Sequence, residues 1–295
     1  MSNAAPVSSL QSLSDALAEI VADAAKSVVA VRSTRSRSSG FVWRPGLIVT
    51  ADEALADEGE IAVTSPGGET VAATLVGRDP TTDVAVLRAE GVSAPAVALQ
   101  SAPPRAGALV LAVGAGRNGP IAAFGAVSSA GPAWRSLRGG EIDARVELDL
   151  SLRRAGEGGL ALDVSGRVIG MTVFGPRRTA LVIPAATIER VAGKLLSHGR
   201  IARGYLGLGL QAAKLDGVGG VGAMVMSVDP SGPGATAGVR QGDLVVKWNG
   251  ERIVDVRTLL RALGPDSIGQ IAKLSLLRGG EPVEITLTIA ERPET

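Results

Sequence analysis

The hydrophobic positions of this chain fall into many short runs separated by glycine, proline and polar residues. Such runs, bounded by turn-forming residues, are typical of β-strands. The first series of predicted strands comprises Val28–Arg32, Ser39–Trp43, Leu47–Ala51, Glu60–Thr64, Thr70–Arg78 and Asp83–Ala89. The second comprises Leu109–Gly114, Ala122–Ser129, Asp143–Leu148, Leu160–Leu162, Val168–Phe174 and Thr179–Ile183. Their regular spacing predicts two closed or sandwiched all-β units.

Helical periodicity occurs at both ends of this strand-rich region. Apolar residues recur at helical spacing from Leu13 to Ala24, and again between Ala185 and Ser197. After Gly204 the pattern changes to that of a small α+β module. Its predicted elements are strands Ala223–Val228 and Asp243–Trp248, a helix around Val256–Leu263 and a final hairpin of Ile271–Leu277 and Val283–Ile289. We therefore predict a mostly β chain with an amino-terminal amphipathic helix in residues 1–27 and domains at 28–200 and 201–292.

Charge and composition exclude several classes of protein. The net charge of the 295-residue chain is +1, and its basic and acidic residues are mixed, which gives no footprint for nucleic acid. Cysteine is absent, so neither disulfides nor thiolate metal sites can form. Acidic residues interrupt the apolar runs near the amino terminus, where no basic leader precedes them. These features predict no transmembrane segment and a cytoplasmic protein as written, or a periplasmic one if the amino terminus has been trimmed.

A glycine-rich turn is the most informative single stretch. Arg154-Ala155-Gly156-Glu157-Gly158-Gly159 leads into the apolar strand at Leu160. This layout resembles the turn that presents the nucleophile in trypsin-like proteases, where glycines let two backbone amides face one point and form an oxyanion hole. The residue at the tip is Glu157, where such a protease has serine.

Several other segments extend this resemblance to the HtrA (Deg) family, in which a trypsin-like double β-barrel precedes a PDZ domain. Ser39-Gly40-Phe41-Val42, followed by Gly46–Thr50, is similar to the family's strands before its catalytic histidine. Asp79–Leu87 is similar to the segment around the catalytic aspartate, and Glu147–Gly159 aligns with the segment around the catalytic serine. The resemblance implies a serine-endopeptidase fold without a cofactor, and a homotrimer.

The chain departs from the family pattern at two of the three catalytic positions. Glu53 takes the place of the histidine and Glu157 that of the serine, whereas the aspartate remains as Asp83. The only histidine, His198, ends the helix that follows the second strand series. A catalytic triad needs a neutral base beside a hydroxyl nucleophile, so we expect a proteolytically inactive protein. A serine endopeptidase, inferred from fold alone, is the alternative.

In the family geometry, Glu53, Asp83 and Glu157 would converge in one cleft. Carboxylates this close raise one another's pKa or recruit a cation, and oxygen ligands suit Ca²⁺ or Mg²⁺. A divalent-cation site at these three residues is therefore one hypothesis, and an inert, solvated former active site is the other. Arg153 and Arg154, which precede the turn, could pair with Glu157 or remain exposed.

The carboxy-terminal module carries the second candidate site. Arg203–Leu208 resembles the carboxylate-binding loop of PDZ domains, and Pro230–Asp243 is similar to the family's PDZ signature. In such a loop, backbone amides bind a terminal carboxylate and the peptide adds a strand to the sheet. The predicted peptide-binding residues are Tyr205, Leu206, Gly207, Leu208, Leu210, Val256 and Leu260. The expected partners are C-terminal or extended hydrophobic peptides, and the expected role is that of a peptide-binding scaffold, regulator or chaperone.

Overall fold

A computed structural model describes residues 9–34, 36–99, 102, 104–215, 220–253 and 256–293 of the chain. These residues form two compact units. The first extends to Trp134 and continues through Glu141–Arg200, and the second contains Arg135–Gly140 and the residues from Ile201 onward.

The first half of the first unit is a closed six-stranded barrel with strand order β1-β2-β3-β6-β5-β4. Its strands are β1 (Val28–Arg32), β2 (Arg37–Arg44), β3 (Leu47–Thr50), β4 (Ile61–Thr64), β5 (Thr70–Asp79) and β6 (Val84–Arg88). Many of their apolar residues, Val29, Ile48 and Leu87 among them, are fully buried and form the barrel core. Closure leaves no unpaired strand edge in this barrel.

The second half of this unit is another closed barrel, with strand order β11-β14-β13-β12-β7-β8. Its strands are β7 (Leu109–Gly116), β8 (Gly119–Gly131), β11 (Arg145–Asp149), β12 (Leu160–Asp163), β13 (Val168–Phe174) and β14 (Ala180–Pro184). Between β8 and β11, β9 (Trp134–Arg135) pairs with β10 (Glu141–Ile142). The core of this barrel includes Val110, Val146 and Ile169.

Two helices flank the barrels. Helix α1 (Ser9–Ala25) buries none of its residues, and Leu10 is 77% exposed. Helix α2 (Ala185–His198) buries an apolar face that includes Ile188, Val191 and Leu195. It ends at Gly199, whose left-handed conformation lets its amide donate to the Leu195 carbonyl at 2.8 Å.

The second unit is built on one antiparallel sheet whose main strand order is β16-β17-β18-β20-β21. Its elements are β15 (Gly204–Tyr205), β16 (Leu208–Leu215), β17 (Gly220–Val228), α3 (Pro233–Thr236), β18 (Leu244–Trp248), β19 (Glu251–Arg252), α4 (Val256–Ala262), β20 (Ile271–Arg278), β21 (Glu281–Thr288) and β22 (Ala290–Glu291). Among the described residues, strand β16 pairs only with β17, and its other edge has no paired strand there. The predicted fold class is thus confirmed: two closed barrels and a smaller α+β unit.

Candidate functional site

The glycine turn is held tightly in the first unit. Gly158 has φ +81°, and a Cβ at this position would lie 2.2 Å from the Ser39 carbonyl oxygen. Its amide donates to the Thr172 carbonyl at 2.8 Å, while the Glu157 carbonyl accepts from the Ser39 amide at 2.8 Å. Only glycine fits this position without strain. The turn therefore fixes the backbone on both sides of Glu157.

The backbone before Glu157 uses its amides for hydrogen bonds within the turn. Residues Arg154–Gly156 form a single 3₁₀ turn. In this turn the Gly156 amide donates to the Arg153 carbonyl at 2.8 Å, and the Glu157 amide donates to the Arg154 carbonyl at 3.2 Å. The Glu157 amide is therefore already engaged by a backbone carbonyl, and it is not directed at the position of an oxyanion.

A short capped turn positions Asp83. The Asp79 carboxylate accepts hydrogen bonds from the Thr81 hydroxyl at 2.6 Å and the Thr82 hydroxyl at 2.8 Å. Asp83 follows with φ +58°, an uncommon conformation for a residue other than glycine. Its Oδ1 accepts a hydrogen bond from the Glu53 amide at 2.8 Å. The turn thus ties the aspartate position to the histidine position.

The three acidic residues are buried to different extents. Glu53 is exposed, Asp83 is partly buried, and Glu157 is 8% exposed. Burial, together with the charges of Glu53, Glu157 and Asp52, raises the pKa of Asp83 to about 8, although the Glu53 amide opposes the shift. Asp83 is therefore mostly protonated at neutral pH.

The pKa of Glu157 is also raised. Burial and then the charge of Glu53 raise its pKa, whereas Arg154, Arg178 and the Phe174 amide act against the shift. The structure thus brings the three predicted acids into mutual electrostatic contact. Arg154 acts on Glu157 through space, and no ion pair within 4.0 Å joins the two side chains among the described residues.

The predicted cation site does not have a ligand geometry. Within the described ranges, no group of three or more His, Cys, Asp or Glu side chains is placed to hold a metal ion. One reason is that the Asp83 carboxylate is oriented by the Glu53 amide. The structure therefore gives no support to a Ca²⁺ or Mg²⁺ site at Glu53, Asp83 and Glu157.

Sequence reasoning missed the network beneath Glu53. Asp52 is buried and forms an ion pair with Arg78, which also contacts Asp57 at 3.3 Å. The Asp52 amide donates to the Asp83 carbonyl at 3.4 Å. Asp52 directly precedes Glu53, but Arg78 is 26 positions away, and no local pattern connects them.

His198 lies outside this network. It is exposed in the last turn of α2, where its Nδ1 lies 2.6 Å from the Ser197 hydroxyl oxygen. The structure gives it the helix-terminal position that the sequence predicts.

The second unit has another glycine turn at its β15–β16 connection. Gly207 has φ +71°, and its carbonyl accepts from the Asp229 amide at 2.8 Å. The Leu206 carbonyl accepts from the Gly234 amide at 2.8 Å. The amides of Leu206 and Gly207 donate to no acceptor in the part of the chain that the structure describes. Two adjacent donors are therefore available to a carboxylate.

The side chains around this turn take separate roles. Leu206 is 3% exposed and belongs to the core, so its backbone rather than its side chain faces the turn. The Tyr205 hydroxyl donates to Asp229 Oδ2 at 2.8 Å. Leu208, Leu210 and Val256 are partly buried against the core. Leu260 is 51% exposed on α4.

Comparison with protein families identifies both units. Residues 38–171 match the family described as "Trypsin-like peptidase domain". Residues 204–289 match the family described as "PDZ domain".

Curated relatives cover most of this chain. A "Probable periplasmic serine endoprotease DegP-like" of Brucella suis biovar 1 is 33% identical over 276 residues, which are 88% of this chain and 53% of the relative. A relative of the same name from Pseudomonas putida is 30% identical over 279 residues, or 89% of this chain and 57% of the relative. The chain thus spans about half the length of the curated relatives it matches.

Solved structures extend the same resemblance. The serine endoprotease from Yersinia pestis is 27% identical, with a TM-score of 0.69, and the match covers 98% of this chain and 100% of that one. "HtrA-type protease AlgW with tripeptide" is 27% identical, with a TM-score of 0.65 and coverage of 94% and 98%.

These comparisons bear on two expectations from the sequence, the absence of a cofactor and the cellular compartment. Serine proteases of the HtrA type need no cofactor, as the resemblance implies. The relatives are named periplasmic, so the cytoplasmic expectation is not supported. None of the described helices has both the length and the apolar character that a membrane crossing requires. Residues 38–171 thus match the trypsin-like peptidase family and residues 204–289 the PDZ family, and the chain is similar over most of its length to HtrA-type and DegP-like serine endoproteases.

Proposed function

We propose that this protein is a catalytically inactive HtrA-type pseudoprotease that binds peptides through its PDZ domain. One observation carries the proposal: a glutamate, Glu157, stands in the glycine turn where the resemblance to trypsin-like proteases has the serine nucleophile, and its side chain is buried. A buried carboxylate at that position cannot be activated as serine is, and its charge opposes an oxyanion.

The base position supports the same proposal. Glu53 stands in the place of histidine, and its amide, rather than a ring nitrogen, is hydrogen-bonded to Asp83. The aspartate that would orient a histidine is mostly protonated at neutral pH. Among the described residues, Glu53, Asp83 and Glu157 therefore do not supply the neutral histidine base that a triad requires.

The PDZ domain retains what a peptide-binding site needs. The unengaged amides of Leu206 and Gly207 suit a terminal carboxylate, and the open edge of β16 can accept an added strand. Leu208, Leu210, Val256 and Leu260 offer apolar surface beside that edge. The ligands we propose are the hydrophobic C-terminal or extended segments of other proteins. A solved relative is described as an AlgW protease with a tripeptide.

The setting we propose follows the relatives. Their names place them in the periplasm, and we propose the same compartment and a homotrimer for this chain. Light scattering on the purified protein measures the mass of the assembly. In this setting the protein acts as a peptide-binding scaffold, regulator or chaperone.

Digestion of unfolded casein tests the loss of activity. We expect the wild-type protein and its Glu157→Ala variant to leave casein equally intact. Reproducible cleavage by the wild type that disappears in Glu157→Ala would instead make the protein an active endopeptidase. Cleavage that persists in the variant would indicate a contaminating protease, which a mock purification identifies.

A further inference from the structure

Asparagine followed by glycine occurs at two places in the chain, Asn118-Gly119 and Asn249-Gly250. In such a pair the backbone nitrogen of the glycine can attack the side-chain carbonyl carbon of the asparagine, because glycine has no side chain to obstruct the approach. The attack needs an asparagine side chain that is free to turn toward the next residue. The surroundings of each pair therefore decide whether it reacts.

Asn249-Gly250 is a constrained pair. It forms the two-residue connection between β18 and β19, and its residues have φ +50° and +86°, as is typical of a tight hairpin turn. The Asn249 side-chain oxygen accepts a hydrogen bond from the Lys273 amide at 2.8 Å, and the Asn249 amide donates to the Lys273 carbonyl at 2.8 Å. The side chain must therefore give up its bond to Lys273 before it can turn toward Gly250.

Asn118-Gly119 has no such constraint. It lies at the tip of the hairpin between β7 and β8, where Gly116 pairs with Gly119, and it is exposed. Unlike Asn249, Asn118 does not have a positive φ. Its side chain makes no hydrogen bond with any residue that the structure describes. This side chain is therefore free to rotate toward the Gly119 nitrogen.

We propose that Asn118 is a site of spontaneous deamidation and that Asn249 is protected by its contacts with Lys273. The Gly119 nitrogen forms a bond to Asn118 Cγ, and the side-chain nitrogen leaves as ammonia with the proton that the Gly119 nitrogen loses. The product is a five-membered succinimide ring. Water then opens this ring at either carbonyl, which gives aspartate or isoaspartate. Neither step changes an oxidation state, and water is the only co-reactant.

The reaction alters a hairpin that is tied to the glycine turn. The Ala115 amide, close to the hairpin tip, donates to Ser39 Oγ at 2.8 Å, and the same hydroxyl donates to the Ala155 carbonyl at 2.5 Å. Isoaspartate carries the backbone through the former side chain, which lengthens the hairpin tip and shifts the pairing of β7 with β8. The reaction needs neither the cleft nor the PDZ groove, so its outcome does not depend on the proposed function.

Peptide mapping by mass spectrometry tests the proposal on the full chain. The folded protein is aged at mildly alkaline pH in heavy-oxygen water, which marks products formed during ageing and not during digestion. We expect Asn118 to convert at least about tenfold faster than Asn249, a difference in activation free energy of about 1.4 kcal/mol. One hydrogen bond, which only Asn249 must lose, contributes about 1 kcal/mol. Both aspartate and isoaspartate should form at Asn118.

The unfolded chain is the matched control. In urea the contacts with Lys273 are lost, so the two pairs should convert at rates within about threefold of each other. Equal rates in the folded protein, faster conversion at Asn249, or no conversion at Asn118 each overturns the proposal. Aspartate without isoaspartate overturns the succinimide route. The comparison uses the wild-type protein, so it does not depend on the folding of a variant.

A variant separates the effect of the new charge from that of the altered backbone. Asn118→Asp carries the charge of the deamidated protein on an unaltered backbone. We expect it to unfold at the same urea concentration as the wild type, whereas the isoaspartate fraction, isolated from the aged protein by ion exchange, should unfold at a lower one. Equal unfolding of that fraction and the wild type would contradict the proposed change in the β7–β8 hairpin.

Discussion

The barrel cleft and the PDZ groove both contain a glycine turn of the kind that directs backbone amides at an anion, but the two turns are in opposite states. In the cleft, the Glu157 amide is engaged by the Arg154 carbonyl, and a carboxylate occupies the tip. In the groove, the Leu206 and Gly207 amides have no acceptor among the described residues. The glycines alone thus do not show whether a turn can bind an anion. That ability depends on whether its backbone amides are free to donate and on the charge of the residue at its tip.

The comparison also separates scaffold from chemistry. Gly158 is fixed by close backbone contacts and a left-handed φ, so it serves the fold whether or not a nucleophile follows Gly156. The acids, in contrast, are destabilising neighbours, because burial and mutual charge raise the pKa values of Asp83 and Glu157. The cleft thus keeps its backbone architecture, while its buried acids lower the stability of the folded protein at neutral pH.

The largest loss of stability that we expect from one substitution is in the scaffold of the cleft. Gly158→Ala forces a left-handed alanine whose Cβ lies 2.2 Å from the Ser39 carbonyl oxygen. We expect it to lower the free energy of unfolding by about 4 kcal/mol. Gly68→Ala is the control, because Gly68 also has positive φ (+90°) but has nothing within 4 Å of its Cβ position; it should cost only about 1 kcal/mol. Urea unfolding measures both, and similar costs would contradict a tightly packed turn.

Asp83 should make stability depend on pH. Its pKa is about 8 in the folded protein against an ordinary value of 3.8, so folding binds a proton between these values. The stability that this proton contributes is present below pH 4 and is lost as the pH rises to 8, on the order of 6 kcal/mol. Asp83→Asn keeps an acceptor for the Glu53 amide and should flatten this dependence in urea unfolding.

Asp143 provides a control of opposite sign. Although burial raises its pKa, hydrogen bonds from Thr187 and Arg190 lower it below the ordinary value. Its stabilising contribution is therefore present above that value and is lost as the pH falls. At neutral pH, Asp143→Asn should lower the free energy of unfolding, whereas Asp83→Asn should raise it. A loss of stability in both variants would contradict the raised pKa of Asp83.

A smaller effect is expected in the groove. Leu260→Asp places a charge on a side chain that is already 51% exposed, so the domain should remain folded. We expect the affinity for a peptide with an apolar C-terminal residue to fall about tenfold, or about 1.4 kcal/mol. Leu75→Asp, at a 43% exposed leucine of the first unit, should leave affinity unchanged. Calorimetric titration measures the peptide affinity of both variants. Equal losses of affinity would mean that α4 does not form part of the peptide-binding groove.

The smallest effect is expected at Tyr205. Its hydroxyl donates to Asp229 at 2.8 Å, so it is occupied within the domain and is not offered to a ligand. Tyr205→Phe should therefore change peptide affinity by less than about twofold. A larger loss in the same titration would mean that the hydroxyl contacts the peptide.

The fold could be predicted because its signals are local. Short apolar runs, turn residues and the order of motifs along the chain predict both barrels and the smaller unit. The candidate site was predictable only at the level of residue types. The substitutions Glu53 and Glu157 are visible in the sequence, but their consequences depend on contacts that no local pattern contains.

Three such contacts show what is lost without coordinates. The Glu157 amide is engaged by a carbonyl three residues earlier, and this depends on how the 3₁₀ turn winds. Leu206 lies in the PDZ-like loop, yet its side chain packs in the core. The pKa of Asp83 depends on its burial and on the charge of Glu157, which is far from it in the sequence.

One titration tests the central claim that the PDZ groove binds peptides and that the barrel cleft does not hydrolyse them. A peptide with an apolar C-terminal residue is titrated into the wild-type protein once as the free acid and once as the C-terminal amide, and each peptide is then recovered for mass spectrometry. The account predicts that the free acid binds at least about tenfold more tightly than the amide and that both are recovered intact. Equal binding of the two forms, or a cut peptide whose cleavage disappears in Glu157→Ala, would contradict it.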